Sequence, residues 1–492
     1  MRRPTPALIV ASFGLAISLG LPASTPASAP DDFYGVNAQA LFAEPSSGWD
    51  TQLDAIDAGG LQLVRTDARW AVIEPRAPDG DMRSYAWSGP DAIVQALAEH
   101  GLRWYPVLEA APGWAAQASG DISPAAARIP DFAYFGFALA SRYGRGGSFW
   151  RLHPALPALP VIDYEIWNEE NSAVFWPSQA DAPERFADLF IAARQAIRAV
   201  DQQARVVIGG LALVNPPLVS DEVTFLERMV SHRPDLIGQV DGVGLHPYQA
   251  TPADTYARID RVRSAVNELL GPSVAIDVTE VGWSALAVPE PQRAAYLDAL
   301  ATDLPRSNCN VADLLPYAWV TPESDPSNPE DWFGIWSKDG SPRPSGQAFT
   351  QSALSMRGLS PSTPAAGGEL DLCPTAHAAP TTPVARRTAP PGPRLRLRVE
   401  ANKRRHRITV FARCPAGCKL ALALMRRRGS KLTAVAHRST RFSTRRSRVR
   451  LRYPRRARRL QLDVVATGAN GGRTVRVREI PRPKRERVTQ SG

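Results

Sequence analysis

The sequence predicts an α/β protein: a closed parallel barrel of eight strand–helix units, followed by a small all-β, sandwich-like domain. Three observations predict it. Eight apolar, β-rich runs alternate with helix-patterned segments between residues 33 and 356. A Pro/Ala/Thr-rich stretch at 360–393 then ends the alternation. Beyond it come short period-two runs whose outward positions are mostly Arg.

The eight strand candidates are FYGVNA (33–38), LQLVRT (61–66), LRWYPVL (102–108), VIDYEIW (161–167), ARVVIGG (204–210), QVDGVGL (239–245), VAIDVT (274–279) and VADLLPYAW (311–319). Helical spacing lies between them. In 90–101, Ile93, Val94, Leu97 and Ala98 share a face and Gly101 is a stop signal. Segment 183–200 opens on Pro183 and sets Phe186, Leu189, Phe190, Ala193 and Ile197 three and four apart. Segments 254–271, 291–304 and 344–356 behave likewise. An open doubly wound sheet is the alternative; it calls for a glycine-rich phosphate loop after the first strand, and FYGVNAQALFAE has none.

In such a barrel the carboxyl ends of the strands converge on one face, where loops build the site. Here those ends carry Arg65 and Asp67 on the second strand, Glu109 after the third, and Asn168 and Glu169 after the fourth. His246 and Tyr248 follow the sixth, Glu280 and Trp283 the seventh, and Tyr317 and Trp319 the eighth. Two glutamates, Glu169 and Glu280, are therefore expected to face each other across the mouth. Carboxylate pairs ringed by aromatics suit sugars: flat rings cover the apolar faces of pyranoses while the carboxylates act on the acetal.

The motifs EIWNEEN (165–171) and VTEVGW (278–283) resemble the acid/base and nucleophile motifs of retaining glycoside hydrolases of clan A, in the manner of families 39 and 5. The closing stretch WFGIWSKDGSPRPSGQAF (332–349) resembles the end of many such barrels, and the likeness spans roughly residues 33–355. One departure is Glu170, where these families often carry Pro. The resemblance implies a (β/α)8 TIM barrel that hydrolyses O-glycosidic bonds, with Glu169 as general acid/base and Glu280 as nucleophile. It requires a protonated Glu169 and an ionised Glu280. Arg65 is expected to hold Glu280 ionised, with Tyr248 donating to the same carboxylate. Asn168 is expected to touch the sugar 2-hydroxyl; His246, Trp283 and Trp319 are expected to bind substrate. No metal or organic cofactor is implied.

Plainer roles are assigned to other residues. Glu165, inside the fourth strand, suits a structural ion pair, and Glu170 suits a cap or a solvent-facing position. Glu109 either lines the cleft or shapes a loop. Trp49, Trp87 and Trp150 suit packing, whereas Trp114, Trp176, Trp332 and Trp336 stay open.

At the amino terminus, Arg2 and Arg3 precede an apolar run to Leu21 and then small residues, the order of a secretory signal peptide over 1–29. A secreted or cell-envelope-associated chain without an integral membrane span once mature is expected. The expected domains are that signal, a catalytic barrel over 30–359, the linker 360–393, an Arg-rich β-sandwich over 394–481 and a basic tail at 482–492. Four cysteines suit an oxidising compartment, with Cys309–Cys373 and Cys414–Cys418 the favoured pairs and a metal the rival at the CPAGC pair.

Charge divides the chain. Residues 394–492 hold 31 Lys or Arg against 4 Asp or Glu, a net +27, while the remainder carries 27 against 44, a net −17. All 12 Trp lie between Trp49 and Trp336. The basic end lacks interleaved aromatics for stacking bases, which argues against nucleic acid and for an anionic cell-envelope polymer. The barrel's expected partner is an oligo- or polysaccharide. The rival reading is a carbohydrate- or envelope-polymer-binding protein with a non-catalytic barrel.

Overall fold

The computed structural model describes residues 29–80, 82–177, 179–212, 221–358, 370–377, 395–402, 406–414, 418–428, 431–442, 447–452, 460–467 and 473–480. Residues 1–28 of the expected signal peptide, most of the expected linker and the basic tail lie outside them. The chain divides into two compact units, Met1–Ala378 and Ala379–Gly492.

The first unit is the expected barrel. Its strands are β1 (Gly35–Asn37), β2 (Leu63–Arg69), β3 (Arg103–Glu109), β4 (Asp163–Asn168), β5 (Arg205–Ala212), β6 (Gly242–His246), β7 (Ala275–Val281) and β8 (Val311–Pro316), paired in parallel in chain order. Closure comes from Leu314 N–H donating to Phe33 O at 2.8 Å and Trp319 N–H donating to Asn37 O at 2.8 Å. Among the described residues, eight helices of ten or more residues alternate with the strands: α1 (Trp49–Ala58), α2 (Ser88–Glu99), α3 (Ile129–Tyr143), α4 (Ala182–Arg198), α5 (Glu222–His232), α6 (Pro252–Leu269), α7 (Glu290–Asp303) and α8 (Pro344–Gly358). Five of these match the helical spacing in the sequence; α1, α3 and α5 escaped it. The α3 stripe of Phe132, Phe135, Leu139 and Tyr143 is fully buried, yet its aromatics are weak helix formers and carry little local signal.

The main core fills the space between strands and helices, whereas Leu63, Tyr105 and Leu315 form a separate buried cluster. Arg205 bridges two buried acids at the strand beginnings, reaching Asp163 at 2.5 Å and Asp277 at 2.7 Å. Residues 370–377, within the expected linker, are tied to this unit. Cys373 is bonded to Cys309, Asn308 Oδ1 accepts from Cys373 N–H at 2.8 Å, and Asp260 accepts from Ala376 N–H at 3.1 Å. No helix among the described residues is long and apolar enough to cross a membrane.

The second unit contains β9 (Arg396–Asn402), β10 (Arg407–Arg413), β11 (Cys418–Arg428), β12 (Lys431–Phe442), β13 (Ser447–Arg452), β14 (Leu460–Thr467) and β15 (Arg473–Ile480). They form two antiparallel sheets, ordered β13–β10–β9 and β12–β11–β14–β15. Strand β12 was not anticipated, because its polar residues blur the alternation. Ile408, Val410, Ala412, Val449 and Leu451 of the first sheet share a core with Leu422, Leu460 and Leu462 of the second. Strand pairing places Phe411 between Arg398 and Arg448 on the opposite face of the first sheet, where both guanidinium groups lie over its ring at 5.1 and 5.8 Å. Arg396, Arg413, Arg450 and Arg452 are also exposed. Cys414 is disulfide-bonded; the expected partner, Cys418, has its side chain outside the described residues.

Candidate active site

The opening of the barrel is a cleft of about 1190 Å³ lined by residues from the carboxyl ends of the strands. Glu169 and Glu280 both line it. One carboxylate oxygen from each, together with one His246 nitrogen, lies within a mutual 4.8 Å.

The end of β4 is shaped for this. Trp167 and Glu169 take left-handed backbone, with φ of 75° and 46°, a conformation costing on the order of 1–3 kcal/mol in a non-glycine residue. Neighbouring contacts hold it: Trp167 Nε1–H donates to Phe175 O at 3.0 Å, and Glu169 N–H donates to Gly210 O at 3.1 Å. The strand therefore breaks where Glu169 must turn into the cleft.

Arg65 is the hub. Its Nε donates to Glu165 Oε2 at 2.6 Å and one terminal nitrogen donates to Glu165 Oε1 at 3.1 Å and Asn168 Oδ1 at 2.9 Å. The other donates to Asn37 Oδ1 at 2.7 Å and Glu280 Oε1 at 2.6 Å. All five guanidinium N–H donors are thus engaged. Glu165 also accepts from Gly210 N–H at 2.9 Å and the Thr279 hydroxyl at 3.2 Å, which fits the structural ion pair expected of it.

The Tyr248 hydroxyl donates to Glu280 Oε2 at 2.9 Å. His246 Nδ1 lies 2.8 Å from Glu169 Oε1 and 3.5 Å from Glu280 Oε2. The ring fits because residue 210 is glycine: a Cβ there would fall 1.9 Å from His246 Nε2. Burial alone would push the Glu280 carboxyl up; the charges of His246 and Arg65, with hydrogen bonds from Tyr248 and Arg65, outweigh it and hold the group below its ordinary value. Burial, and next the Glu280 charge, push the Tyr248 phenol well up, so it remains a donor.

Glu169, His246 and Glu280 could together present donor atoms to a metal ion. A dication would have to sit beside the Arg65 charge already paired with Glu280, so this donor set fits carboxylate chemistry better.

The structure thus brings Arg65, Asn168, Glu169, His246, Tyr248 and Glu280 into one contact network. Trp283 lines the cleft, its Nε1–H donating to Gln249 O at 2.7 Å. Three expectations need correction. Trp319 is fully buried, stacked on Trp336 with its Nε1–H donating to Gln52 Oε1 at 2.7 Å, and lies off the cleft lining. His246 is likewise sealed behind the carboxylates instead of forming the wall. Glu170, expected to cap or to face solvent, is fully buried with neither carboxylate oxygen partnered among the described residues, and burial pushes its carboxyl well up.

Other lining residues were placed at strand ends without a role, as Asp67, Glu109 and Tyr317 were, or were not singled out, as Phe333 and Glu330. Tyr317, directly after β8, lines the cleft with Phe333, their rings 5.6 Å apart. Tyr317 is the first residue past the strand, which was the available signal. Asp67, Glu109 and Glu330 add three carboxyls to the lining.

No protein-family model matches the chain, and no curated protein does. Many solved structures share its fold. A monomeric beta-xylosidase from Caulobacter crescentus CB15 is 14% identical, with a TM-score of 0.51 over 93% of this chain and 98% of the other. A GH5_18 protein from Bifidobacterium longum subsp. longum, in complex with Manb1-4GlcNAc, is 14% identical, with a TM-score of 0.50 over 67% and 80%. A family 39 glycoside hydrolase from Bacteroides cellulosilyticus WH2 is 15% identical, with a TM-score of 0.49 over 87% and 81%. At these identities the likeness is one of fold.

Proposed function

We propose that the barrel is a retaining glycosidase that hydrolyses the O-glycosidic bond of a β-linked oligo- or polysaccharide by double displacement. The observation that carries this reading is the pair Glu169 and Glu280, with carboxylate oxygens within 4.8 Å at the open end of the barrel. Retaining enzymes hold their two carboxyl groups about 5–5.5 Å apart, inverting ones about 6.5–9.5 Å.

In the first step Glu280 attacks the anomeric carbon and forms a glycosyl ester, while Glu169 gives its proton to the departing oxygen. In the second, Glu169 takes a proton from water as that water attacks the same carbon and frees Glu280. Arg65 and Tyr248 keep Glu280 anionic and aimed. Asn168, whose Oδ1 is held by Arg65, is proposed to contact the 2-hydroxyl of the sugar. The fold shared with the Caulobacter beta-xylosidase supports the reading.

Export is part of the proposal. It is supported by the Arg2/Arg3 and apolar opening of the sequence and by the Cys309–Cys373 disulfide. The basic unit is proposed to hold the enzyme on an anionic envelope polymer. Its support is the exposed arginine face of β13–β10–β9, whose only aromatic, Phe411, is covered by two guanidinium groups.

An activated aryl β-glycoside panel tests the catalytic reading. A pre-steady-state burst of aglycone that Glu280→Ala abolishes is expected. Absence of turnover on the whole panel would favour a non-catalytic carbohydrate-binding barrel.

A further inference from the structure

The cleft contains a second pair of carboxyl groups that the hydrolytic steps above leave unused. Asp67 lies on β2, two residues beyond Arg65 and on the same face; Glu109 ends β3, the neighbouring strand. Both line the cleft. Glu109 is 6% exposed, and its Oε2 has no hydrogen-bond partner among the described residues. A buried carboxylate oxygen without a partner is costly, and a ligand group that meets it removes the cost.

The surrounding charges indicate what that group is. Among the described residues, five carboxyls line the cleft, those of Asp67, Glu109, Glu169, Glu280 and Glu330, against the single guanidinium of Arg65. Arg65 has spent all its donors on Glu165, Glu280, Asn37 and Asn168. Arg69, the other nearby cation, is exposed at the end of β2. Glu165 and Glu280 add negative charge around the pair. Burial first, and then the Asp67 charge, push the Glu109 carboxyl up to about 8 against the pull of Arg69 and Arg65; burial likewise raises Asp67. An anionic sugar would be repelled here, whereas a cation would meet the unpartnered Glu109 Oε2 with the Asp67 carboxyl beside it.

We propose that Asp67 and Glu109 form a subsite for an ammonium group, so that the glycan this cleft takes carries free amino sugars. The proposal rests on the cleft being the glycan site. It adds a substrate class to that reading: glycans with unacetylated hexosamine rings. Because the free enzyme keeps a proton on Glu109 at neutral pH, an arriving ammonium displaces it, and binding releases up to one proton.

Calorimetry on the full chain carrying Glu169→Gln, which blocks turnover, tests this. The ligands are tetramers of β-1,4-linked glucosamine, N-acetylglucosamine and glucose, at about pH 6, where the free amine is charged, in two buffers of different ionisation enthalpy. The expected result is at least about tenfold tighter binding of the free-amine tetramer, with proton release into the buffer. Glu109→Gln and Asp67→Asn, each nearly isosteric, should separately erase most of that preference. Equal affinity for the three tetramers, no detectable binding of the free-amine one, or a preference that survives in both variants would overturn the proposal. The catalytic reading fails separately: hydrolysis of neutral aryl glycosides without amine preference leaves it standing and sinks the subsite, whereas amine-dependent binding without any turnover does the reverse.

Discussion

Arg65 touches Glu280 at 2.6 Å while the rest of its guanidinium is held by Glu165, Asn168 and Asn37. The cation that keeps the proposed nucleophile ionised is therefore itself clamped and cannot swing away during a reaction cycle. Sharing Arg65 also ties Asn168 and Glu280, on opposite sides of the barrel, into one rigid unit. Such fixed charge is the kind of preorganisation that stabilises a developing transition state.

Tyr248→Phe should leave the fold intact and lower kcat by about 10- to 100-fold, the range expected from losing a hydrogen bond to a charged group, about 1.5–3 kcal/mol. That hydrogen bond favours ionised Glu280, whose carboxyl lies below its ordinary 4.5. Activity therefore survives as pH falls to that depressed value, and in the variant the acid limb of kcat/KM moves to higher pH. A pH–rate profile measures both; an unmoved acid limb would contradict the assignment.

Gly210→Ala is predicted to damage the site from behind. The added Cβ would meet His246 Nε2 at 1.9 Å, and overpacking of this kind costs roughly 1–3 kcal/mol. The barrel should still fold, with a modestly lower Tm, while displacement of His246 from Glu169 cuts kcat. Activity equal to wild type would show that the imidazole position is unimportant.

Glu109 gives a stability prediction with a definite sign. Its folded value, about 8, stands above the ordinary 4.5, so the folded state binds the extra proton. Stability from this group is fully present below about pH 4.5 and is lost as pH rises through 8. Glu109→Gln should therefore raise Tm at about pH 8.5 more than at pH 4.5. Thermal melts at the two pH values check it; equal shifts would contradict the buried, protonated Glu109.

The Cys309–Cys373 bond spans 64 residues, a loop whose cross-linking is worth about 4 kcal/mol in the chain-entropy account. Replacing both cysteines by alanine should lower the thermal midpoint of the barrel, and a reductant should do the same to wild type. An unchanged midpoint would show that residues 370–377 stay docked through their hydrogen bonds to Asn308, Asp260, Asn267 and Arg306 without the disulfide.

The eight barrel strands were legible because parallel strands buried on both faces read as continuous apolar runs. Helices α1 and α5 were not, since their apolar stripes are short and broken by acids and polar residues. The placement of Glu169, Glu280, Arg65 and Tyr248 followed from strand ends alone. What the pattern could not supply was side-chain direction past those ends. Tyr317 and Trp319 lie two positions apart after one strand, yet the first lines the cleft and the second is swallowed by Gln52 and Trp336. Glu170 looked like a cap or a solvent-facing acid because burying an unpaired carboxyl is costly; its position against Gly209 is a tertiary fact. Asp67 was placed beside Arg65 on one strand end, but the pattern alone gave it no role.

The most direct test of the central claim is mass-spectrometric mapping of the chain after exposure to a panel of 2-deoxy-2-fluoro β-glycosides bearing a dinitrophenolate leaving group. Such compounds form the glycosyl ester but release it slowly. A stoichiometric sugar adduct on Glu280, absent in Glu280→Gln, is the predicted result. An adduct on any other carboxylate, or none at all from a sugar whose parent glycoside is hydrolysed, would contradict it.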